Sequence, residues 1–481
     1  MSNRPETNKQ SCPVYKKCGG CQLQNLSYPE QLEFKQRKVE KLLKRFCTVE
    51  KIIGMKTPYH YRNKVQAAFY TDKKGKIISG VYQSGSHHVV GIDSCQTEDV
   101  IADKIIVAVR KLLPSFRMTT YNEDTGKGFL RHILVKRGFA TNQIMLVLVT
   151  GTPVFPSKNN FVKAILEQFP EITTIVQNIN PYRTNLVLGD NQKVLYGKGY
   201  IEDILCGCRF RISPKSFYQI NPVQTEVLYG KAIEFANLKG NETVLDTYCG
   251  IGTIGIIAAK NGAGNVIGAE LNGDAVRDAI VNARANNLKN IRFYKADAGE
   301  FMREAADEDE KPDVVFMDPP RAGSDRKFLD SLIKMSPKKV VYVSCNPETL
   351  ARDLAYLTQN SPYKAQKIQP VDMFPHTAHI ETVVKLVRKT PDAYVDLKVD
   401  MDELDLTASE AKATYEEIKQ YILDKYDTKV SNLYIAQVKE KYGIIERENY
   451  NKPKSANTKQ SQCPAEKAVM IEEAFKHFKM I

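Results

Sequence analysis

Asp246-Thr247-Tyr248-Cys249-Gly250-Ile251-Gly252 closes the short strand-like run Thr243–Asp246 and opens an apolar stretch with helical spacing, about Gly252–Lys260. Glycines at 250 and 252 let the backbone approach a ligand, and the start of the helix offers free N–H groups. The same rhythm then repeats. Strands are expected at Val266–Glu270, Ile291–Tyr294, Val314–Asp318, Val340–Ser344 and Thr382–Val387. Helices are expected between them at about Asp274–Asn286, Lys327–Lys334 and Glu348–Leu357. This alternation predicts an α/β domain with a Rossmann-like, doubly wound sheet that binds ligands at the carboxyl ends of its strands.

Two ligands fit the first turns. Glu270 ends the second strand, where a carboxylate can accept both hydroxyls of a ribose, and Asp297 follows the third, within reach of an adenine amine. That pair suits S-adenosylmethionine. Gly250, Gly252 and Gly255, with Glu270 twenty residues past Gly250, also satisfy the dinucleotide fingerprint. A nicotinamide- or flavin-dependent oxidoreductase is therefore the alternative. The fourth strand ends in Asp318-Pro319-Pro320-Arg321, over the place where a methyl donor's reactive end would lie, and a dehydrogenase has no need of it. Amino-methyltransferases carry Asp-Pro-Pro followed by an aromatic residue; Arg321 stands there instead.

The fifth strand ends Val343-Ser344-Cys345-Asn346-Pro347, which puts a thiol on the same rim. Carbon 5 of uracil is a poor nucleophile. A thiolate adding at carbon 6 makes carbon 5 an enolate carbon that can attack a sulfonium methyl. Carbon 5 then still carries its proton, and a base must remove it before the thiolate leaves. Glu381, in His376-Thr377-Ala378-His379-Ile380-Glu381-Thr382, is the best-placed base. His376 and His379 lack a third metal ligand in the sequence and read as structural.

Outward from this core, the chain has 481 residues, 42% apolar and 26% charged, which suits a globular protein of several domains. Its longest apolar runs, such as Ile144–Val149, fall far short of the roughly 18 residues that span a bilayer. With no hydrophobic leader, a cytoplasmic protein away from membranes is expected. A net charge of +13 and a pI near 9.0 suit a phosphate-rich partner. Residues 57–204 read as short β-branched runs with turns, including a hairpin tip at Lys73-Lys74-Gly75-Lys76 and strands at Ile133–Lys136 and Ile144–Val149. Before them a basic helix is expected from about Tyr28 to Phe46. After Thr390, helices at about Ala408–Tyr426 and Ser431–Lys441, with Gly443 as a cap, form a small helical appendage. The expected division is 1–23 with 57–204, a cysteine-bearing, β-rich RNA-binding domain; 24–56, a basic linker packing on the catalytic domain; 205–388, the catalytic domain; and 389–481.

Ten cysteines in such a chain point to thiols, metal ligands or catalysts rather than disulfides. Cys206 and Cys208 alternate in a strand-like run and, with Cys47 and Cys463, read as inert. Cys12, Cys18, Cys21 and the distant Cys95 make a four-thiol set whose spacing fits either tetrahedral zinc or a [4Fe–4S] cluster.

Phe217-Tyr218-Gln219-Ile220-Asn221, the Asp-Tyr-Cys-Gly-x-Gly turn, Asp-Pro-Pro-Arg, Ser-Cys-Asn-Pro and His-x-Glu together resemble the RNA uridine-C5 methyltransferases. The branch acting on 23S ribosomal RNA is the most similar. The likeness spans about Cys12 to Arg388. It implies a class I methyltransferase fold using S-adenosylmethionine, with Gln219, Tyr248, Glu270 and Asp318 against the methyl donor or target base. It implies further that Phe217 packs on the uracil, Arg321 lies beside it, Cys345 attacks and Glu381 deprotonates. Cys18-Gly19-Gly20-Cys21 resembles that branch's iron–sulfur segment, so the resemblance favours [4Fe–4S] over zinc and ribosomal over transfer RNA, in a monomer. The family's small basic β-barrel (TRAM) domain before the cluster is expected to be missing. RNA grip is then expected from the helix after Tyr28, including Lys35, from Arg62, Lys64, Arg131 and Lys136, and from the helical appendage.

Overall fold

The computed structural model describes residues 12–83, 86, 88–184, 186–308, 310–389, 413–442, 463–478 and 480–481. The chain divides into two compact units, Met1–Thr390 and Pro391–Ile481.

The first unit holds two seven-stranded sheets and a hairpin. One sheet is built from β1 (Lys64–Thr71), β2 (Ile77–Tyr82), β3 (Val89–Gly91), β4 (Leu130–Arg137), β5 (Ile144–Thr150), β6 (Ile172–Ile179) and β7 (Asn191–Tyr196), in the order β3-β2-β1-β4-β5-β6-β7. Its pairs are antiparallel except β5–β6, which a helix at Lys158–Gln168 connects. The run 144–149 is apolar throughout because both faces of β5 are covered. Met145, Val147 and Val149 join the core shared with the second sheet, while Ile144, Leu146 and Leu148 pack under helices Val100–Leu112 and Lys158–Gln168. Neither helix was expected in this β-rich stretch. The first is started by Asp99, whose side chain accepts from the N–H groups of Ile101 and Ala102.

The hairpin pairs β8 (Ile201–Leu205) with β9 (Cys208–Ile212). Cys206 and Gly207 are its turn, both with positive φ (50° and 72°), so the expected single strand through Cys206 and Cys208 is wrong. Two central residues with positive φ match the right-handed twist of the strands they join.

The second sheet comprises β10 (Thr243–Asp246), β11 (Asn265–Glu270), β12 (Ile291–Lys295), β13 (Val314–Met317), β14 (Lys339–Ser344), β15 (Tyr363–Val371) and β16 (Glu381–Arg388), in the order β12-β11-β10-β13-β14-β16-β15. The first five are parallel, and β16 runs antiparallel between β14 and β15. Successive residues serve opposite faces: Val244, Phe316 and Val341 on one, Leu245, Val315 and Val340 on the other. The expected helices are Thr253–Lys260, Gly273–Ala285, Arg326–Met335 and Pro347–Asn360. Strand β15 and the helices Pro222–Ala236 and Ala298–Asp307 were not anticipated. The basic helix ends at Leu43; Ser27 and Glu30 cap its start reciprocally.

In the second unit, helices Tyr415–Tyr426, Asn432–Lys441 and Ala465–His477 close over Ile418, Ile422, Ile435, Val438, Ile471 and Phe475. The third was not expected, and residues 408–412 and Gly443 lie outside the described residues. Among the described residues no helix is long and apolar enough to cross a membrane.

Candidate active site

Strand register places the rim residues side by side. Asp246 pairs with Phe316, Met317 with Tyr342, and Ser344 with Thr382. Asp318, Cys345 and Glu381 therefore stand one step beyond adjacent pairs at one edge of the sheet. Their charges register on one another, as the thiol and carboxyl shifts show. Burial pushes Asp318 up to about 7. Glu381, buried at the start of β16, is raised well above the carboxylate range, first by burial and then by Asp318, with Arg321 opposing. Cys345 is half-buried, and its thiol is pushed up to about 11 by burial and by Glu381 and Asp318, again with Arg321 opposing. The loops of Arg321 and Cys345 are tied together. The Arg321 carbonyl accepts from the Asn346 amide (3.1 Å) and the Thr349 hydroxyl (3.2 Å).

Beside this rim lies the glycine turn. Gly250 (φ 55°) has open space where a side chain would be, whereas a Cβ on Gly252 (φ 82°) would stand 2.8 Å from the Phe293 ring. The first leaves room for a ligand; the second is a packing requirement. Glu270 closes the turn, accepting from the N–H of Gly250 (3.1 Å) and, with its other oxygen, from Asn272 (2.8 Å). Asp297 caps the helix Ala298–Asp307 with one oxygen, which accepts from Gly299 and Glu300. Tyr248 tilts over Phe328 (5.4 Å between centroids), its hydroxyl 3.4 Å from that of Ser324. Asp246 is buried and pushed up to about 7, mainly by burial, and its Oδ1 has no hydrogen-bond partner.

The Phe217–Asn221 motif splits by side chain. Phe217 is 67% exposed, an aromatic face left free. Tyr218 is buried, its hydroxyl donating to Asp203. Gln219 donates to the hydroxyl of Tyr229 (3.4 Å). Tyr229 is a rim residue the sequence reading missed: buried on helix Pro222–Ala236, its hydroxyl is raised by burial and then by Asp318, with Asp246 and Glu381 adding to the shift. In an apolar helix a lone tyrosine reads as core, and only the tertiary fold turns its hydroxyl to the rim.

Cys12, Cys18, Cys21 and Cys95 are all half-buried free thiols. Cys21 is pushed up to about 12 by burial first, then by Cys95, with Cys18 and Cys12 contributing and Arg62 opposing. Among the described residues no group of three or more His, Cys, Asp or Glu side chains stands in metal-binding arrangement. Cys95, Cys18 and Cys12 all act on Cys21, with Arg62 opposing, and four thiols are by their chemistry the donor set of a four-thiolate centre.

The expected RNA contacts divide sharply. Lys35, Arg131 and Lys136 are buried and satisfied internally, so they are not surface cations. Lys35 pairs with Asp372 at 2.6 Å. Arg131 forks onto Glu123 and donates to the carbonyls of Asn180 and Tyr182. Lys136 donates to the carbonyls of Ser213 and Ser216. Lys64, Arg37, Lys41, Lys44 and Arg45 remain exposed.

Comparison with known proteins shows the family. The family model described as tRNA (uracil-5-)-methyltransferase matches residues 27–389. An RNA methyltransferase of Clostridium tetani is 45% identical over 377 residues, covering 78% of this chain and 81% of its own length. One from Listeria monocytogenes is 47% identical over 379 residues, covering 78% and 83%. Among solved structures, the Pyrococcus abyssi tRNA (uracil-54, C5)-methyltransferase in complex with S-adenosyl-L-homocysteine superposes with a TM-score of 0.65 at 31% identity, covering 79% of this chain and 88% of that one. With the family model spanning both sheets and the whole rim, the chain belongs to the RNA (uracil-5-)-methyltransferase family.

Proposed function

We propose that this protein forms 5-methyluridine in RNA by covalent catalysis. The observation that carries the reading is the adjacency of Cys345 and Glu381 past the Ser344–Thr382 pair, with Asp318 alongside. S-adenosylmethionine, when bound, supplies an electrophilic methyl group on a cationic sulfur. Gly250, Gly252, Glu270, Asp297, Tyr248 and Gln219 line the place for it, and Asp246 and Asp318, once ionised, favour a cation there. Phe217 offers its free face to the uracil ring and Arg321 its charge. Cys345 gives its proton to solvent and the thiolate bonds to carbon 6, the ring's double-bond electrons shifting to the enolate. Carbon 5 then bonds to the methyl carbon as that carbon's bond to the donor sulfur breaks, leaving the sulfur a neutral thioether. Glu381 removes the proton from carbon 5, the carbon 6–sulfur bond breaks, and the thiolate leaves.

The test separates early from late steps. Glu381→Ala should consume about one labelled methyl group per enzyme and stall as a denaturant-resistant protein–RNA adduct. The double variant Cys345→Ala, Glu381→Ala should form none. Normal turnover by Glu381→Ala, or slow turnover without adduct, refutes the assignment.

We read the substrate as 23S ribosomal RNA and the thiol site as [4Fe–4S], both supported by the Cys18-Gly19-Gly20-Cys21 resemblance. Transfer RNA is the substrate named for the Pyrococcus abyssi relative. Methylation of ribosomal but not transfer RNA, and brown protein with about four irons per chain after anaerobic purification, are the expected results. One zinc in colourless protein would overturn the second.

A further inference from the structure

The connection from β15 to β16, residues 372–380, is unusual for a loop. Asp372, Met373, His376, Thr377 and Ile380 are all buried. Buried backbone needs hydrogen-bond partners, and here few come from the two strands it joins. Asn221 and Gln224 donate to the Met373 and Asp372 carbonyls (2.9 and 3.0 Å), and most of the remaining partners come from the N-terminal segment. The Leu23 N–H donates to the His376 carbonyl (2.9 Å), and the Gln22 side chain accepts from the Ala378 N–H (3.2 Å). Gln31 accepts from the His376 N–H (2.8 Å) and meets the His376 ring (3.2 Å). Lys35 binds Asp372 (2.6 Å) and the Phe374 carbonyl (3.0 Å), and Tyr28 donates to the other Asp372 oxygen (2.9 Å). Tyr61 donates to the Pro375 carbonyl (3.0 Å). His376 itself sits at φ 68°, a left-handed conformation that a non-glycine residue keeps only when its surroundings hold it there.

Two of these ties begin at the thiol site. Gln22 and Leu23 follow Cys21 directly, and Tyr61 precedes Arg62, which faces Cys21. Glu381 is the first residue of β16. Its only neighbour in register is Val371 at the other end of the same loop, while the pairing to β14 begins at Thr382. The loop therefore sets where the carboxylate stands relative to Cys345. Cys345 lies at the end of a central strand, and the same N-terminal helix touches the helix after it through Lys38 and Glu348 (2.9 Å), well past the reacting thiol.

We propose that Gln22–Lys35 is a strap positioning Glu381, and that occupancy of the four-thiol site by metal tightens it, governing RNA release while leaving methyl transfer intact. The inference rests on Glu381 being the base. Gln22, Leu23, Gln31 and Lys35 are positioning residues in it, acting through the loop.

Hydrogen exchange and single-turnover methylation test this on the whole chain, loaded with iron, stripped by chelator, or carrying Gln22→Ala. Stripping and Gln22→Ala should each speed exchange of the 376–378 amides at least tenfold and leave residues 253–260 unchanged. Methyl uptake should stay within about twofold while release slows about tenfold or more and adduct accumulates, since a misplacement near 1 Å costs rates of that order. Gln22→Glu keeps the acceptor and should restore release. If Glu381→Ala traps adduct but stripped protein and Gln22→Ala release RNA normally, the strap is refuted while the base assignment stands. If Glu381→Ala traps none, the base assignment falls, and unchanged exchange at 376–378 would refute the mechanical link separately. Methylation and release falling together would also refute it.

Discussion

Lys136 in the first sheet and Asp318 on the rim of the second are both enclosed ionisable groups, and burial pushes both to about 7 from opposite directions. They are built differently. Lys136 has two carbonyls at 2.9 and 2.8 Å, and Lys35 and Arg131 are likewise paired and hydrogen-bonded. The rim carboxylates have less such support, Asp246 accepting from the Gly255 N–H (2.8 Å) with one oxygen only. Burial alone accounts for Asp318, Asp246 keeps an unpartnered oxygen, and the main opposition to the raised value of Glu381 is the exposed Arg321. A buried charge whose partners are all present is architecture. One left without them costs stability, persists where chemistry uses it, and marks the site.

The contrast predicts opposite phenotypes. Cys345→Ser, at the centre of the unsatisfied rim, should lose turnover by at least about a thousandfold, because a hydroxyl scarcely ionises and has no competent attack on carbon 6. Its thermal midpoint and methyl-donor affinity should stay near wild type. Retention of substantial activity would break the contrast at its strongest point. Lys136→Met should do the reverse. It strands the carbonyls of Ser213 and Ser216, a loss of about 2 kcal/mol in denaturant unfolding, while the salt dependence of RNA binding is unchanged. Lys41→Ala is the matching surface control, with stability unaffected and the salt slope reduced by about one. A flattened salt slope in Lys136→Met would return that lysine to the RNA interface.

The same contrast explains what could be read from the sequence. The parallel sheet was legible because each strand of Val314–Met317 type ends at a residue with chemistry, and the turn at 250–252 shows its own constraint. That Cys345, Glu381 and Asp318 share one rim was legible because each lies at one end of a strand whose order the alternation predicts. The runner-up reading of Gly250, Gly252 and Gly255 as a dinucleotide site finds no support in a methyltransferase family. Lys35, Arg131 and Lys136 misled because a lysine or arginine on a helix face or alternating strand looks exposed. Only long-range partners, such as Asp372 for Lys35 over three hundred residues away, reveal otherwise. Tyr229 and β15 were missed for the same reason: their roles exist only across the fold.

The unsatisfied rim also sets a pH dependence. Folding raises Asp246 and Asp318 from the ordinary carboxylate range to about 7, chiefly through burial. Below about pH 4 both folded and unfolded chains keep these protons, and their contribution to stability is fully present. Between about 4 and 7 the unfolded chain ionises while the folded one does not, so stability falls as pH rises, by up to about 1.4 kcal/mol per pH unit for each group. Above about 7 both states are ionised and the loss levels off. Asp318→Asn cannot ionise and should flatten the fall of thermal midpoint between pH 5 and 7. Methyl donor should stabilise the wild type more at pH 7 than at pH 5, because its sulfonium meets ionised carboxylates there. S-adenosylhomocysteine, whose sulfur is neutral, should show a smaller gain with pH. Equal gains for the two ligands would mean that the rim does not recognise the charge, leaving its raised carboxylates to serve only Cys345 and the base.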